Sequence, residues 1–301
     1  MTIVIPENYH AENLLKDHGI VCKTQEEARK EDFPSIRIGI LNIMPQVKTY
    51  EFNLLYPLGR SILQVEPVWI RLKTQNYNSN EDSHLENLYI SFEEAVSGRK
   101  LDGLILTGAP VEDIPFHEVI FWDEVCEIIK YAEENIASTL GICWGGLAFA
   151  KFMGVEKEVY RKKIFGVLET KNLYPHHKIT GGLDDVFWCP FSSFSSLPDK
   201  PMEEKRDEGK INLLAHSDVA GYIIFESIDH RFIAHLGHPE YPAERLVEEY
   251  QRDLKKGRKD VGFPENLDIN KPLNRWRGHC LDFFSQWIKH IHETTSFYVK
   301  T

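Results

Sequence analysis

Three observations predict an α/β protein with a mostly parallel sheet and helices on both faces. In the first half, short apolar runs of strand length alternate with amphipathic stretches of helix length. Two of these runs end in small-residue turns, at Gly108-Ala-Pro110 and at Cys143-Trp-Gly-Gly146. Turns of this kind follow the carboxyl ends of parallel strands, where α/β sheets bind their ligands. In the second half the alternation gives way to closely spaced strand candidates, which predicts a smaller β-rich part.

In chain order, the first ~35 residues show no clean hydrophobic period and read as polar and irregular. Residues 36–44 (IRIGILNIM) predict a strand that ends at Pro45, 49–60 a helix, and 65–71 a second strand. The Asn- and Ser-rich residues 72–85 predict a loop, followed by a helix around 86–97. A buried strand over 101–107 runs into Gly108, an amphipathic helix covers 117–134, and 138–142 is another buried strand before a helix that starts at Trp144. Further on, 164–168 and 185–189 are short strand candidates, and 221–226 with 231–236 suit a hairpin. Residues 243–255 predict a helix, 256–275 a loop, and 283–291 a closing helix. No stretch marks a linker, so the expectation is one domain over 1–301, with 1–35 an N-terminal extension packed on it.

The 301 residues are 42% hydrophobic and 27% charged, which excludes collagen-like and wholly disordered classes. A formal net charge of −11 argues against broad nucleic-acid binding, which needs a basic surface. A small anionic ligand needs only one local basic pocket. No run approaches the ~20 apolar residues of a membrane span. The N-terminus lacks the basic start and apolar core of a signal peptide, so a cytoplasmic protein is expected. Cys22, Cys126, Cys143, Cys189 and Cys280 are odd in number and form no CxxC pair, so neither a disulfide framework nor a zinc site is expected. His176-His177 lacks the further ligands of a zinc centre, and no metal or bound cofactor is expected.

Gly141-Ile-Cys143-Trp-Gly-Gly146 carries the strongest chemical signal. A buried strand that leads into a nucleophile flanked by small residues has the form of a nucleophile elbow. The thiol then sits at a helix N-terminus, where the dipole and backbone N–H groups favour a thiolate and can stabilise an oxyanion. Most free cysteines are inert core residues, and the other four have no such context. In Phe232-Ile-Ala-His-Leu-Gly-His238-Pro-Glu240 an apolar strand delivers a histidine, and a glutamate follows two residues later. A cysteine nucleophile needs a base, and the base needs an orienting group. Among thirteen histidines any one alone is more often structural, but His238 with Glu240 supplies both types in one turn. Strand alternation points the competitor, His235, away from that end. Backbone N–H groups at Gly108 and Trp144 are candidates for an oxyanion hole. A basic set at Lys163, Arg252 and Arg275-Trp-Arg277 offers charges for an anionic substrate, although most such charges are solvated surface.

Together these segments resemble the homoserine O-acyltransferase family (transsuccinylases and transacetylases) over nearly the whole chain. The resemblance rests on Leu41-Asn-Ile-Met-Pro45, Asp102-Gly-Leu-Ile-Leu-Thr-Gly-Ala-Pro110, Ile142-Cys-Trp-Gly145, Gly237-His-Pro-Glu-Tyr241 and Trp276-Arg-Gly-His279. It implies a flavodoxin-like fold of the class I glutamine amidotransferase type and a homodimer. It also implies a ping-pong reaction, with Cys143 acylated by an acyl-CoA, His238 as base and Glu240 orienting it. A glutamate after the Thr-Gly-Ala-Pro-Val run goes with acetyl-CoA in this family, and a glycine goes with succinyl-CoA. Glu112 therefore implies acetyl-CoA as co-substrate, and a carboxylate there would repel a succinyl group. The family's amino-acid contacts match Lys163, Ser192, Glu249 and Arg252.

Two departures bear on the acceptor. The lysine after Met44-Pro45 is displaced to Lys48, and Phe191-Ser192-Ser193 stands where the family has His-Ser-Arg. L-homoserine, on the way to methionine, is the first expectation. L-serine, on the way to cysteine, is the alternative, because one methylene is worth only about 1–3 kcal/mol of discrimination. A succinyl donor and a glutaminase of the amidotransferase type are further alternatives. Against the glutaminase, Gly146 and Leu147 follow Gly145 where that family has a glutamine. A non-enzymatic metabolite sensor does not need the full Cys, His and Glu set.

Overall fold

The computed structural model describes residues 2–31, 34–75, 77 and 82–298. The chain divides into two compact units. One comprises Met1–Gly108, Phe116–Leu140 and Phe284–Thr301, and the other Ala109–Pro115 and Gly141–Phe283.

The first unit holds β1 (Thr2–Val4), α1 (Glu12–Asp17), β2 (Val21–Lys23), α2 (Gln25–Arg29), β3 (Ile36–Leu41), α3 (Val47–Gly59) and β4 (Gln64–Ile70). It continues with α4 (Asp82–Leu88), α5 (Phe92–Ser97), β5 (Gly103–Leu106) and α6 (Trp122–Asn135). Its strands run in the order β2-β1-β4-β3-β5, and every pair among them is parallel. Ile38, Ile40 and Leu41 of the central β3 are fully buried, as a strand covered on both faces requires. Pro67 in β4 is tolerated because β1 pairs only with Gln64 and Val65, so Pro67 lies beyond that second neighbour. On α6, Val125, Ile128, Ile129 and Ala132 form the buried stripe at helical spacing.

Three expectations change here. Residues 2–31 are not irregular: they supply two strands and two helices, each too short to display a period. The helix expected around 86–97 is two helices, because Ser91 and Glu94 form a capping box that starts α5 afresh, and Ile90 bridges Ile70. The loop expected over 72–85 ends where α4 begins at Asp82, and residues 76 and 78–81 of it lie outside the described residues.

β6 (Ser138–Ile142) crosses the division after Leu140. The second unit then holds α7 (Trp144–Phe152), β7 (Glu158–Asn172), β8 (Val186–Ser196), α8 (Asp199–Asp207), β9 (Ile211–Ser217), β10 (Gly221–Ser227), β11 (Phe232–His235) and α9 (Ala243–Lys255). The last helix, α10 (Arg277–Tyr298), starts in this unit and starts earlier than the expected 283. The strands run β11-β10-β9-β7-β8, and all these pairs are antiparallel. β7 and β8 are 15 and 11 residues long, far longer than 164–168 and 185–189. Four of the first five residues of β7 are exposed, so they add no apolar run from which a strand could be read. The two strands form a ribbon with Val159 opposite Ser195 and Phe165 opposite Ser192. Among the described residues, no helix is long and apolar enough to cross a membrane.

Candidate active site

Cys143 joins β6 to α7 with φ 51° and ψ −112°, a region L-residues rarely occupy. Holding a non-glycine residue there costs about 1–3 kcal/mol, and such strain collects at functional sites. The glycines around it explain why the turn closes. A Cβ on Gly141 would sit 2.7 Å from the Gly145 backbone, and one on Gly146 would sit 2.7 Å from Leu236. The Cys143 N–H donates to the His235 carbonyl at 2.9 Å, which fixes the elbow against β11. Trp144 opens α7 and is fully buried, so its N–H lies at the positive end of that helix.

β11 then delivers the base. The His238 N–H donates to the Pro190 carbonyl at 2.8 Å, and the Tyr241 N–H returns to the His238 carbonyl at 3.1 Å. Cys143 lies close enough to the His238 ring to act on its charge, and Nδ1 lies 2.8 Å from Glu240 Oε1. Burial pushes this imidazole down, but Cys143 and Glu240 outweigh it and raise its pKa well above the ordinary range. Tyr241 stacks on the ring at 4.1 Å and 16°, and Trp276 Nε1 donates to the Tyr241 carbonyl at 2.8 Å. His235 is a different group: burial, then His238, pull its pKa down to about 3. It stays neutral and serves through its backbone carbonyl.

The four expected acceptor contacts come together in one network. Ser192 Oγ donates to Glu249 Oε2 at 2.5 Å, and Tyr241 Oη donates to Glu249 Oε1 at 3.0 Å. Lys163 Nζ lies 3.8 Å from Glu249 and 3.0 Å from Asp253. Arg252 is paired with Asp253 at 3.0 Å and keeps 42% of its side chain exposed, so it marks the open rim. Burial works to raise the Glu249 pKa, but Lys163, His238 and the Ser192 hydroxyl hold it below the ordinary carboxylate range. Asp253 is lowered in the same way by Lys163 and Arg252. Sequence reading missed Asp253 and Arg245. The signal was there: 245, 249 and 253 recur at four-residue spacing, and all three charged side chains are buried on α9.

Glu112 lies in the irregular segment Ala109–Pro115, half-buried. Burial pushes its carboxyl up, partly offset by its own backbone N–H and by Lys163. Gly108 is buried after β5 in the first unit. Cys189 and Cys280 are buried, and burial raises both thiols.

Two groups of side chains have the composition of a metal site: His10, Glu51 and His84, and His177, Glu226 and His230. Glu226 and His230 are thus near His177 in space, which the sequence order does not show. Hydrogen bonds account for both groups. The Ile179 N–H donates to His177 Nδ1, which places that ring's proton on Nε2, 3.0 Å from Glu226 Oε1. A metal would need that nitrogen bare. Two clefts of about 420 and 460 Å³ in the first unit share Val4, Gln25 and Glu66, and neither is lined by a cysteine or histidine.

A strained cysteine on a strand-to-helix turn, with a histidine–glutamate pair against it, is an acyl-transfer arrangement. The sequence profile described as "Homoserine O-succinyltransferase" matches residues 2–297. The chain belongs to the homoserine O-succinyltransferase family. A relative from Petrotoga mobilis, named homoserine O-acetyltransferase, is 36% identical over 96% of this chain and 94% of its own. One of the same name from Geobacillus kaustophilus is 38% identical over 96% of each. Among solved structures, a glutamine amidotransferase from Thermotoga maritima aligns with a TM-score of 0.56, covering 86% of this chain and 99% of that one. At 12% identity that likeness shows the fold alone, and it is the fold that the family resemblance implied.

Proposed function

We propose that this acyltransferase moves an acetyl group from acetyl-CoA to the side-chain hydroxyl of L-homoserine through an S-acetyl-Cys143 intermediate. The observation that carries the reading is Cys143 at an elbow with positive φ, tied to the end of β11, beside His238 held by Glu240. The Cys143 sulfur attacks the thioester carbonyl while its proton resides on His238. The tetrahedral intermediate collapses, and CoA leaves with the proton from His238. The acceptor hydroxyl then attacks the new thioester, His238 takes its proton, and collapse releases the O-acetyl product and returns the thiol. Glu240 keeps the imidazole oriented and stabilises its charged form. The backbone N–H of Trp144 is an oxyanion donor in this scheme.

For the acceptor, Glu249 takes the α-ammonium, with Lys163 and Arg252 for the α-carboxylate and Ser192 holding Glu249 in place. Glu112 disfavours a donor that carries a free carboxylate. The names of the Petrotoga and Geobacillus relatives support acetyl over succinyl. The test is CoA release by the purified protein, with acetyl- or succinyl-CoA as donor and L-homoserine or L-serine as acceptor, and Cys143→Ala as control. The expected result is the highest kcat/KM with acetyl-CoA and homoserine, and an acetylated Cys143 by mass spectrometry when no acceptor is added. Higher kcat/KM with serine would move the acceptor assignment to L-serine and make the departures at Val47 and at Phe191-Ser192-Ser193 the specificity switch. Release of CoA by Cys143→Ala at the parent rate would end the ping-pong scheme.

A further inference from the structure

The segment that carries Glu112 has no helix or strand of its own; within it the Ala109 and Val111 carbonyls accept from the Val111 and Ile114 N–H groups, and the Glu112 and Ile114 carbonyls find partners elsewhere. Lys157 supplies them. Its Nζ lies 2.6 Å from the Glu112 carbonyl, 2.6 Å from that of Ile114 and 3.4 Å from that of Val111. An ammonium has three donors on one atom, so one lysine can gather three carbonyls of a turn. Ser195 Oγ donates to the same Glu112 carbonyl at 2.5 Å. Burial pulls the Lys157 pKa down, which means that holding the ammonium there carries a desolvation cost. A lysine with only a surface role would extend into water instead.

The two anchors belong to one piece of the fold. Lys157 immediately precedes β7, Ser195 lies in β8, and Val159 pairs with Ser195 in the ribbon. The same ribbon carries Lys163 and Ser192 of the acceptor network.

We propose that Lys157, assisted by Ser195, is the positioning residue for donor choice: it fixes the backbone of Glu112 so that the carboxyl stands at one place beside the acyl group. This rests on the reading that Glu112 selects the donor. Without the anchor, the Glu112 side chain samples several positions, and a succinyl group is opposed only part of the time. Lys157 touches no reacting atom in this role. Its charge also acts on Cys143, which affects both donors alike, so the positioning effect is read in the ratio of donors rather than in either rate alone.

The experiment measures kcat/KM for acetyl-CoA and for succinyl-CoA in the full-length protein, with melting temperature and acceptor KM alongside. Lys157→Met is expected to lower the acetyl-over-succinyl ratio about tenfold. Lys157→Arg should restore part of it, because a guanidinium can still donate to several carbonyls. Ser195→Ala should shift the ratio the same way by about threefold, and it carries the test should Lys157→Met fail to fold. In the Glu112→Gly background, adding Lys157→Met should not lower the ratio further. A Lys157→Met protein that loses rate with both donors equally would overturn the proposal, and so would additive effects in the double variant. A Glu112→Gly protein with an unchanged ratio would overturn the Glu112 reading itself, and this inference with it. A shift in Glu112→Gly without one in Lys157→Met or Ser195→Ala would overturn the positioning role alone.

Discussion

Two buried glutamates show how differently the two units use the same side chain. In the first unit, Glu51 of α3 is fully buried, and its partners are the Tyr9 and Tyr89 hydroxyls and His84 Nε2, the last two at 2.9 and 2.7 Å. Among the described residues no lysine or arginine lies within ion-pair distance of it. In the second unit, Glu249 of α9 is as deeply placed but meets Lys163, Arg245, Ser192 and Tyr241, the last of which stacks on His238. The first arrangement satisfies a carboxylate with hydroxyl and imidazole donors and continues through Tyr89 to Asn42. The second links a carboxylate to the base that serves a nucleophile. Burial and hydrogen-bond count therefore do not separate structural from functional glutamates, whereas the identity of the next group in the chain of contacts does.

Glu240 gives the largest test of this contrast, because it touches the base directly. Glu240→Gln keeps the shape but offers Nδ1 the wrong group half the time and no longer stabilises an imidazolium. A fall in kcat of about 10²–10⁴ is expected, with acceptor KM nearly unchanged. An equal fall in melting temperature and a kcat close to the parent value would place Glu240 with Glu51 instead.

Glu249 comes next, one contact further from the chemistry. If Glu249 takes the acceptor ammonium as proposed, Glu249→Gln should raise the acceptor KM about tenfold or more and change kcat less. Its lowered pKa, and that of Asp253, also predict an acid dependence. Both carboxyls are depressed in the folded protein, so the stability they contribute is complete above the unfolded range of about 4 and is lost as the pH falls through the folded values. Lys163→Met removes the first of the charges that depress them. It should lower the melting temperature at neutral pH, and the gap to the parent should close on acidification. A gap that widens towards acid would mean that these groups are not held ionised by Lys163.

The placement of the candidate catalytic residues was legible because it is local. Cys143 with its glycines, and His238 with Glu240, each sit in a few consecutive residues at a strand end, where a motif can be read. α9 was legible to the residue, since its charged and apolar faces separate cleanly. The anchors of the donor segment were not. Lys157 and Ser195 act on backbone carbonyls some 40 and 80 positions away, |i−j| = 45 and 83 for the Glu112 carbonyl, and no spacing rule reports a side chain that serves a distant turn. The N-terminal strands were hidden for another reason: with three residues each they form only as additions to an existing edge, β1 on β4 and β2 on β1. The break between α4 and α5 could have been found, because Ser91-Phe-Glu-Glu94 is a helix start in plain sequence.

Glu51 itself should give the smallest kinetic effect. Glu51→Gln leaves one acceptor oxygen and adds an NH₂ group, so at least one of the Tyr9, Tyr89 and His84 donors loses its partner in a buried place. A buried donor left unpaired costs about 1–3 kcal/mol, which a thermal or denaturant melt can resolve. Asn42 Nδ2 donates to the Tyr89 hydroxyl at 2.9 Å, so the loss also reaches the segment that follows β3. The folded fraction should still transfer acyl groups with kcat/KM within about twofold of the parent, because no member of this cluster belongs to the unit that holds Cys143. A protein that melts like the parent but transfers acyl groups poorly would show that the cluster around Glu51 also serves the chemistry, and the contrast between the two glutamates would fail.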